Sequence, residues 1–183
     1  MADKKLDTIW DMQPHTNAKH RILRRYLGAW FSIIGKARTM SRASRALYVD
    51  GFAGPGRYKG GEIGSPIVAI EAARGAVATS QIPLRLVFIE KDAARHHHLN
   101  ESLKPYQGDP ASSNLLEIRP PIANDCETEL TAILDKYDQL KKPFGPALVF
   151  LDQFGYSDVS LDLIGRLMKH RSCEVFTYLH AGG

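Results

Sequence analysis

At 183 residues the chain suits one domain with a sizeable core, and 44% hydrophobic with 24% charged residues is ordinary globular usage, which excludes disorder, collagen-like repetition and coiled coil. Lys plus Arg total 24 against 20 acidic residues, a balance that permits a polyanionic partner without requiring one. No apolar run reaches the roughly 20 residues of a membrane helix, the polar start lacks a secretory h-region, and Cys126 and Cys173 lack zinc-site or disulfide spacing, so a cytoplasmic protein with no membrane partner is expected.

Residues 1–14 are polar and end at Pro14, after which Thr16 or Asn17 can cap a helix. The apolar positions Ile22, Leu23, Tyr26, Leu27, Trp30, Phe31 and Ile34 then recur at spacings of three and four. That face is expected to bury, with the arginines outward. The basic excess sits here too, from Lys4 and Lys5 through Lys19, Arg21, Arg24, Arg25 and Lys36 to Arg45. Residues 1–45 thus read as a helical extension packing on a core domain of residues 46–183.

Ala46-Leu-Tyr-Val49 has the continuous apolar character of a strand buried on both faces, and it stops abruptly at Asp50-Gly51. Strands are expected again at 84–89, 115–118 and 147–151, each followed by a helix, starting near Asp92, Asp125 and Asp158. This alternation predicts an α/β, Rossmann-like sheet, mostly parallel, with right-handed crossovers. A fifth strand is expected at 174–178, and since a methyltransferase-type sheet normally has two more, the end at Gly183 reads as an early stop or an edge closed some other way.

Ligands of open parallel sheets bind beyond the carboxyl ends of the strands, so the loop Asp50-Gly-Phe-Ala-Gly-Pro-Gly56 is the first candidate. Asp50, Gly51, Phe52, Ala53, Gly54 and Gly56 are the candidate binding residues, because glycine lets backbone approach a ligand with no Cβ in the way. A strand-end carboxylate can also accept hydrogen bonds from a ligand's ammonium. A P-loop would need Gly-Lys-Ser or Gly-Lys-Thr, which is absent, and a dinucleotide fingerprint starting at Gly54 would have its third glycine at Lys59. The glycines could alternatively serve only to turn the chain. Glu90, at the end of the next strand and followed by Lys91, weighs against that, since one carboxylate offers two acceptor oxygens to a ribose. Together the loop and Glu90 point to an S-adenosylmethionine pocket. Asn124 and Asp125 could meet the adenine edge or cap a helix, and capping is at least as good an account.

After the fourth strand, Asp152-Gln-Phe-Gly155 stands where transfer chemistry occurs in such sheets. Asp152 or the carbonyl of Gln153 could orient an acceptor amine, and Phe154 or Tyr156 could stack on it; Asp152 could equally cap a turn and Phe154 belong to the core. His96, His97 and His98 are adjacent on a helix and point apart, which disfavours chelation on one face.

Trp10, His15-Thr-x-x-Lys-His20, Tyr26-Leu27, Trp30-Phe31, the core from Tyr48 to Tyr58, Gly64-Ser-Pro66, Phe88-Ile-Glu-Lys-Asp92 and Phe150 to Ser157 together resemble the bacterial three-Cys-motif partner proteins. That family looks like a branch of the class I methyltransferase fold, named for its occurrence beside a three-cysteine, radical-SAM-like protein. The resemblance implies that Asp50 and the loop glycines hold the methionine part of S-adenosylmethionine, Glu90 the ribose and Asp125 the adenine edge. It sets Asp152, Gln153, Phe154 and Gly155 in the place of the catalytic Asp-Pro-Pro-Tyr or Asp-Pro-Phe-Gly segment of nucleic-acid amino methyltransferases. Gln153 stands where those have proline, whose ring fixes the carbonyl that orients the amine. Methyl transfer to a base amine of nucleic acid is therefore the first expectation, a non-catalytic partner of the three-cysteine protein the second, and a nicotinamide-dependent oxidoreductase a distant third.

Overall fold

A computed structural model describes residues 8–36, 45–107, 114–142, 144–153 and 158–178 of the chain. The first strand, β1 (Ala46–Asp50), is buried at every position, as its unbroken apolar run requires of a strand covered on both faces. It pairs in parallel with β2 (Leu84–Phe88) on one side and β4 (Ala147–Leu151) on the other. Short β3 (Leu116–Ile118) and β5 (Cys173–Thr177) complete a parallel sheet in the order β3-β2-β1-β4-β5. The chain runs from β1 out to β3 and then crosses back to β4, so the order reverses between β1 and β4. Connections leaving these two strand ends diverge, and that divergence opens a crevice there.

Alternate side chains of β1 feed two cores, as the period of two demands. Ala46 and Tyr48 join Leu23, Leu27, Trp30 and Phe31 of α1 (Pro14–Lys36), the buried side of α2 (Ser65–Ser80), and Leu99 and Leu103 of α3 (Ala93–Leu103). Leu47 and Val49 join Cys126, Leu130 and Leu134 of α4 (Cys126–Gln139) and Leu163 and Leu167 of α5 (Leu161–Lys169). Helices thus cover both faces, the Rossmann-like arrangement that the strand-helix rhythm predicts.

The departures are local and have physical causes. Helix α1 begins at Pro14, before Thr16 or Asn17, because the carbonyl of Gln13 accepts the first amides, from Thr16 and Asn17, while proline's fixed φ suits the first turn. Ile22 is 51% exposed although it belongs to the apolar spacing, since Leu23 and Leu27 already fill the contact with the sheet. Helix α2 escapes periodicity because Ile67, Val68, Ala69 and Ile70 are all buried, so no polar face marks it. A three-residue 3-10 turn follows α3 at Lys104–Tyr106. Helix α5 starts after Ser160 rather than near Asp158, since the Ser160 hydroxyl accepts the Leu163 amide at 3.2 Å and donates to Glu127 at 2.6 Å. Asp158 instead pairs with Lys91. Replacing Ser160 with alanine is expected to lower stability by about 1 kcal/mol, read by urea unfolding, because the cap is lost and a Glu127 oxygen loses its donor.

Candidate functional site

The glycine loop is held by the strands it leaves. The Gly51 amide donates to Phe150 O at 3.0 Å and the Ala53 amide to Ile89 O at 3.0 Å, so the loop is stitched to the ends of both β4 and β2. Gly54 and Gly56 have φ of +63° and +80°, the left-handed region that costs other residues most. At Gly56 a Cβ would also lie 3.0 Å from Ser102 Cβ and 3.1 Å from Leu99 Cδ1, so the loop can sit this close to α3 only with glycine there. Pro55 O accepts from the Ser102 hydroxyl at 3.3 Å and lies 2.8 Å from His98 Nδ1, while His96 Nε2 lies 3.0 Å from Pro121 O. The histidine run thus fastens two separate loops to α3.

Glu90 is buried at the end of β2, and both of its oxygens already order the site. Oε2 accepts the Gly54 amide at 2.9 Å, Oε1 accepts the Asp92 amide at 2.8 Å, and Arg95 lies 4.0 Å away. A carboxylate oxygen has a second lone pair, so Glu90 keeps acceptor capacity after fixing the loop. Asp50 is fully buried at the end of β1. Its Oδ1 accepts the Phe52 amide at 3.3 Å, and its Oδ2 has no partner within hydrogen-bond distance among the described residues. Burial pushes its carboxyl up to about 7, with the Ser65 hydroxyl and Phe52 amide pulling down and Asp152 and Glu90 pushing up. The buried Tyr48 hydroxyl beside it is raised well above the usual phenol range, first by burial and then by Asp50.

A cleft of about 300 Å³ opens over these groups. Of the residues proposed from sequence, Gly51, Phe52, Ala53, Gly54, Gly56, Glu90, Lys91 and Asp152 line it. Asp50 stands directly behind the wall, between Gly51 and the Ser65 hydroxyl, both of which line the cleft. Asp125 does not line it: its Oδ1 caps α4 by accepting the Thr128 amide at 2.9 Å, a bond that holds the carboxyl below its usual range. Neighbouring Asn124 is the residue at the wall. The Gln153 side chain is buried, with no partner for Oε1 among the described residues, while Phe154, Gly155 and Tyr156 lie outside the described residues.

Four further residues line the cleft without having been proposed for it from sequence: Trp10, His20 and Tyr58, which belong to the motifs of the family resemblance, and Arg95, which belongs to none. Lys59 N donates to Trp10 O at 3.0 Å, which ties the segment before α1 to the glycine loop's continuation. Trp10 meets Tyr58 edge-on at 6.0 Å and Arg95 at 5.6 Å. His20 is detectable in hindsight as the one polar group on the buried stripe that continues through Leu23 and Leu27. Its Nδ1 is buried with no hydrogen-bond partner among the described residues, and its ring sits 5.8 Å from Tyr58. Next to it, Lys19 Nζ pairs at 2.5 Å with Oδ1 of Asp152, which lines the cleft.

The whole arrangement is a strand-end crevice lined by the buried carboxylate of Glu90 and a conformationally restricted glycine loop, with buried Asp50 behind the wall and an aromatic and charged wall made by Trp10 and His20 of the N-terminal segment with Tyr58 and Arg95. It can accept hydroxyls and a cation, and it can stack a flat ring. No family model, curated protein or solved structure matches the chain.

Proposed function

We propose that this cleft binds S-adenosylmethionine and that the protein is a methyltransferase acting on a base amine of nucleic acid. The carrying observation is the pair of strand-end carboxylates: Asp50 has a buried oxygen with no partner among the described residues, and Glu90 holds the loop while keeping free lone pairs. These residues fit the cofactor's two most demanding groups. Asp50 faces the requirement of an ammonium for a nearby anion, and Glu90 that of two ribose hydroxyls for one bidentate acceptor. The cofactor supplies a methyl carbon made electrophilic by a sulfonium. The chain's task is then to fix geometry, with the glycine loop closing over the donor and Asp152 orienting the acceptor N–H toward it.

Titration calorimetry with S-adenosylhomocysteine and with NAD tests the cofactor: saturation by S-adenosylhomocysteine is expected, and saturation by NAD alone would overturn the proposal in favour of an oxidoreductase. Methyl incorporation into mixed DNA and RNA tests the chemistry.

A pH dependence follows from Asp50. Its folded carboxyl titrates at about 7 against 3.8 for the ordinary group, so between those values the folded state holds a proton that the unfolded chain has lost, and stability falls as pH rises until it levels off above about 7. A ligand ammonium needs the ionised form. S-Adenosylhomocysteine affinity is therefore expected to rise about tenfold from pH 6 to pH 8, in step with the ionised fraction of Asp50, and to lose this trend in Asp50→Asn. An affinity that is flat with pH in the native chain would refute the ammonium contact.

A second reading is favoured by one observation: Asp152, the residue that would orient the acceptor, is already paired with Lys19. In it the chain is a methyltransferase-like partner of a three-cysteine, radical-SAM-like protein and uses cofactor binding to shape their interface. Co-purification with that protein, with no methyl incorporation by either alone, is its expected signature. In either reading we assign the protein to the cytoplasm. Cys126 and Cys173 are free thiols pushed up to about 12 chiefly by burial, and no helix among the described residues is long and apolar enough to cross a membrane.

A further inference from the structure

Of two consecutive residues in the first turns of α1, His20 lines the cleft and Lys19 stands behind it, paired with the lining residue Asp152, and neither belongs to the donor side formed by Asp50 and Glu90. We infer that they set acceptor specificity: Lys19, Asp152, His20 and Tyr58 form a subsite for a neutral planar heterocycle that carries an N–H beside a hydrogen-bond acceptor, and they disfavour an alkylammonium. The inference rests on the cleft being a methyl-donor site.

A bare carboxylate at a strand end would recruit cations. Here Lys19 Nζ lies 2.5 Å from Asp152 Oδ1, with both side chains 24% exposed, so an incoming ammonium meets a cation beside the anion it seeks. Lys19 is held in this place. The Tyr178 hydroxyl donates to Lys19 O at 2.9 Å, and the ammonium stands 5.1 Å from the centre of the Tyr178 ring. Asp152 lines the cleft and uses Oδ1 in the ion pair, while Oδ2 has no hydrogen bond among the described residues and can accept one N–H from a neutral donor.

His20 supplies the complementary half. Its Nδ1 is enclosed and has no partner among the described residues, and the residue lines the same cleft. A buried imidazole nitrogen left unpaired is costly, and a turn of the ring that presents it to a ligand atom in the cleft recovers that cost. Burial holds the imidazole down at about 4, partly opposed by Asp152 and reinforced by Lys19 and Arg24, so at neutral pH it is uncharged and adds no net charge to the subsite. Tyr58, 5.8 Å from the His20 ring and braced edge-on by Trp10, supplies a flat surface on which a heterocycle can lie. An alkylammonium can lie against this ring as a cation, but it carries no acceptor for an imidazole N–H and meets the Lys19 charge beside Asp152.

The test is saturation-transfer NMR on the full chain with S-adenosylhomocysteine present, titrating 1-methylcytosine and, separately, n-butylammonium. The native chain is expected to prefer 1-methylcytosine by about tenfold or more, the scale of one well-made hydrogen bond in an enclosed site. Lys19→Met uncovers the Asp152 charge and shifts the preference toward n-butylammonium, whereas Lys19→Arg keeps the native ratio. His20→Phe, which retains a ring and removes both nitrogens, weakens 1-methylcytosine alone. Equal or tighter binding of n-butylammonium by the native chain, or a ratio unmoved by Lys19→Met, would overturn the inference. Failure of the native chain to bind S-adenosylhomocysteine would instead overturn the cofactor assignment, and the probe preference measured in its absence still decides the acceptor subsite.

Discussion

Glu90→Ala is expected to weaken S-adenosylhomocysteine binding about hundredfold and to lower stability by about 3 kcal/mol, the largest functional loss from any single change in the cleft. Two effects add. The ribose loses a bidentate anionic acceptor, in which each charge-assisted hydrogen bond is worth about tenfold in affinity. The amides of Gly54 and Asp92, which donate to Glu90 at 2.9 Å and 2.8 Å, lose their acceptor, so the loop and the start of α3 loosen together. Calorimetry and urea unfolding on the same preparation separate the two. A variant that loses stability and keeps native affinity would show that Glu90 holds the loop and does not touch the ligand.

Gly51→Ala is expected to cost about 2–3 kcal/mol, a large penalty for one methyl group. A Cβ at Gly51 would overlap Cys126 Sγ and come within 3.0 Å of Leu151 Cδ2. Both neighbours are core side chains, 4% and 0% exposed, and neither can move without displacing β4 or α4. The cause can be isolated by a double-mutant cycle. Removing the sulfur with Cys126→Ala should restore about half of the loss in Gly51→Ala, although Cys126→Ala alone is mildly destabilising. If the two changes simply add, the contact between Gly51 and Cys126 is not the source of the penalty. Because Gly51 also lines the cleft, the single variant should bind S-adenosylhomocysteine less tightly than the double variant.

These two residues mark how far motifs carry. Glu90 and Gly51 are identifiable from a short apolar run followed by a carboxylate and from a strand that stops at a glycine. Both signals are local, because a strand end and the turn after it are neighbours in sequence. The reason Gly51 tolerates nothing larger comes from Cys126, a residue 75 positions later on α4, and no local pattern contains it. Asp125 illustrates the opposite case. An aspartate three residues before an exposed threonine amide has a sufficient local role as a cap, and the structure spends its Oδ1 on that role.

The strand positions, the parallel α/β class, the glycine loop and its two carboxylates were all determined by the sequence alone, since each follows from periodicity or from residues close together along the chain. Only the tertiary structure decided that α2 is a helix, because burial around most of its circumference erases the polar face by which helices are recognised. It alone brought Trp10, His20 and Tyr58 onto the same wall as Glu90, and it set Lys19 against Asp152 across 133 positions of sequence. The physical reason is common to all of these. A side chain's role in an enclosed cleft depends on what faces it, and here that is chosen by the packing of α1 on the sheet face beside α2, which brings its first turns to the strand-end crevice.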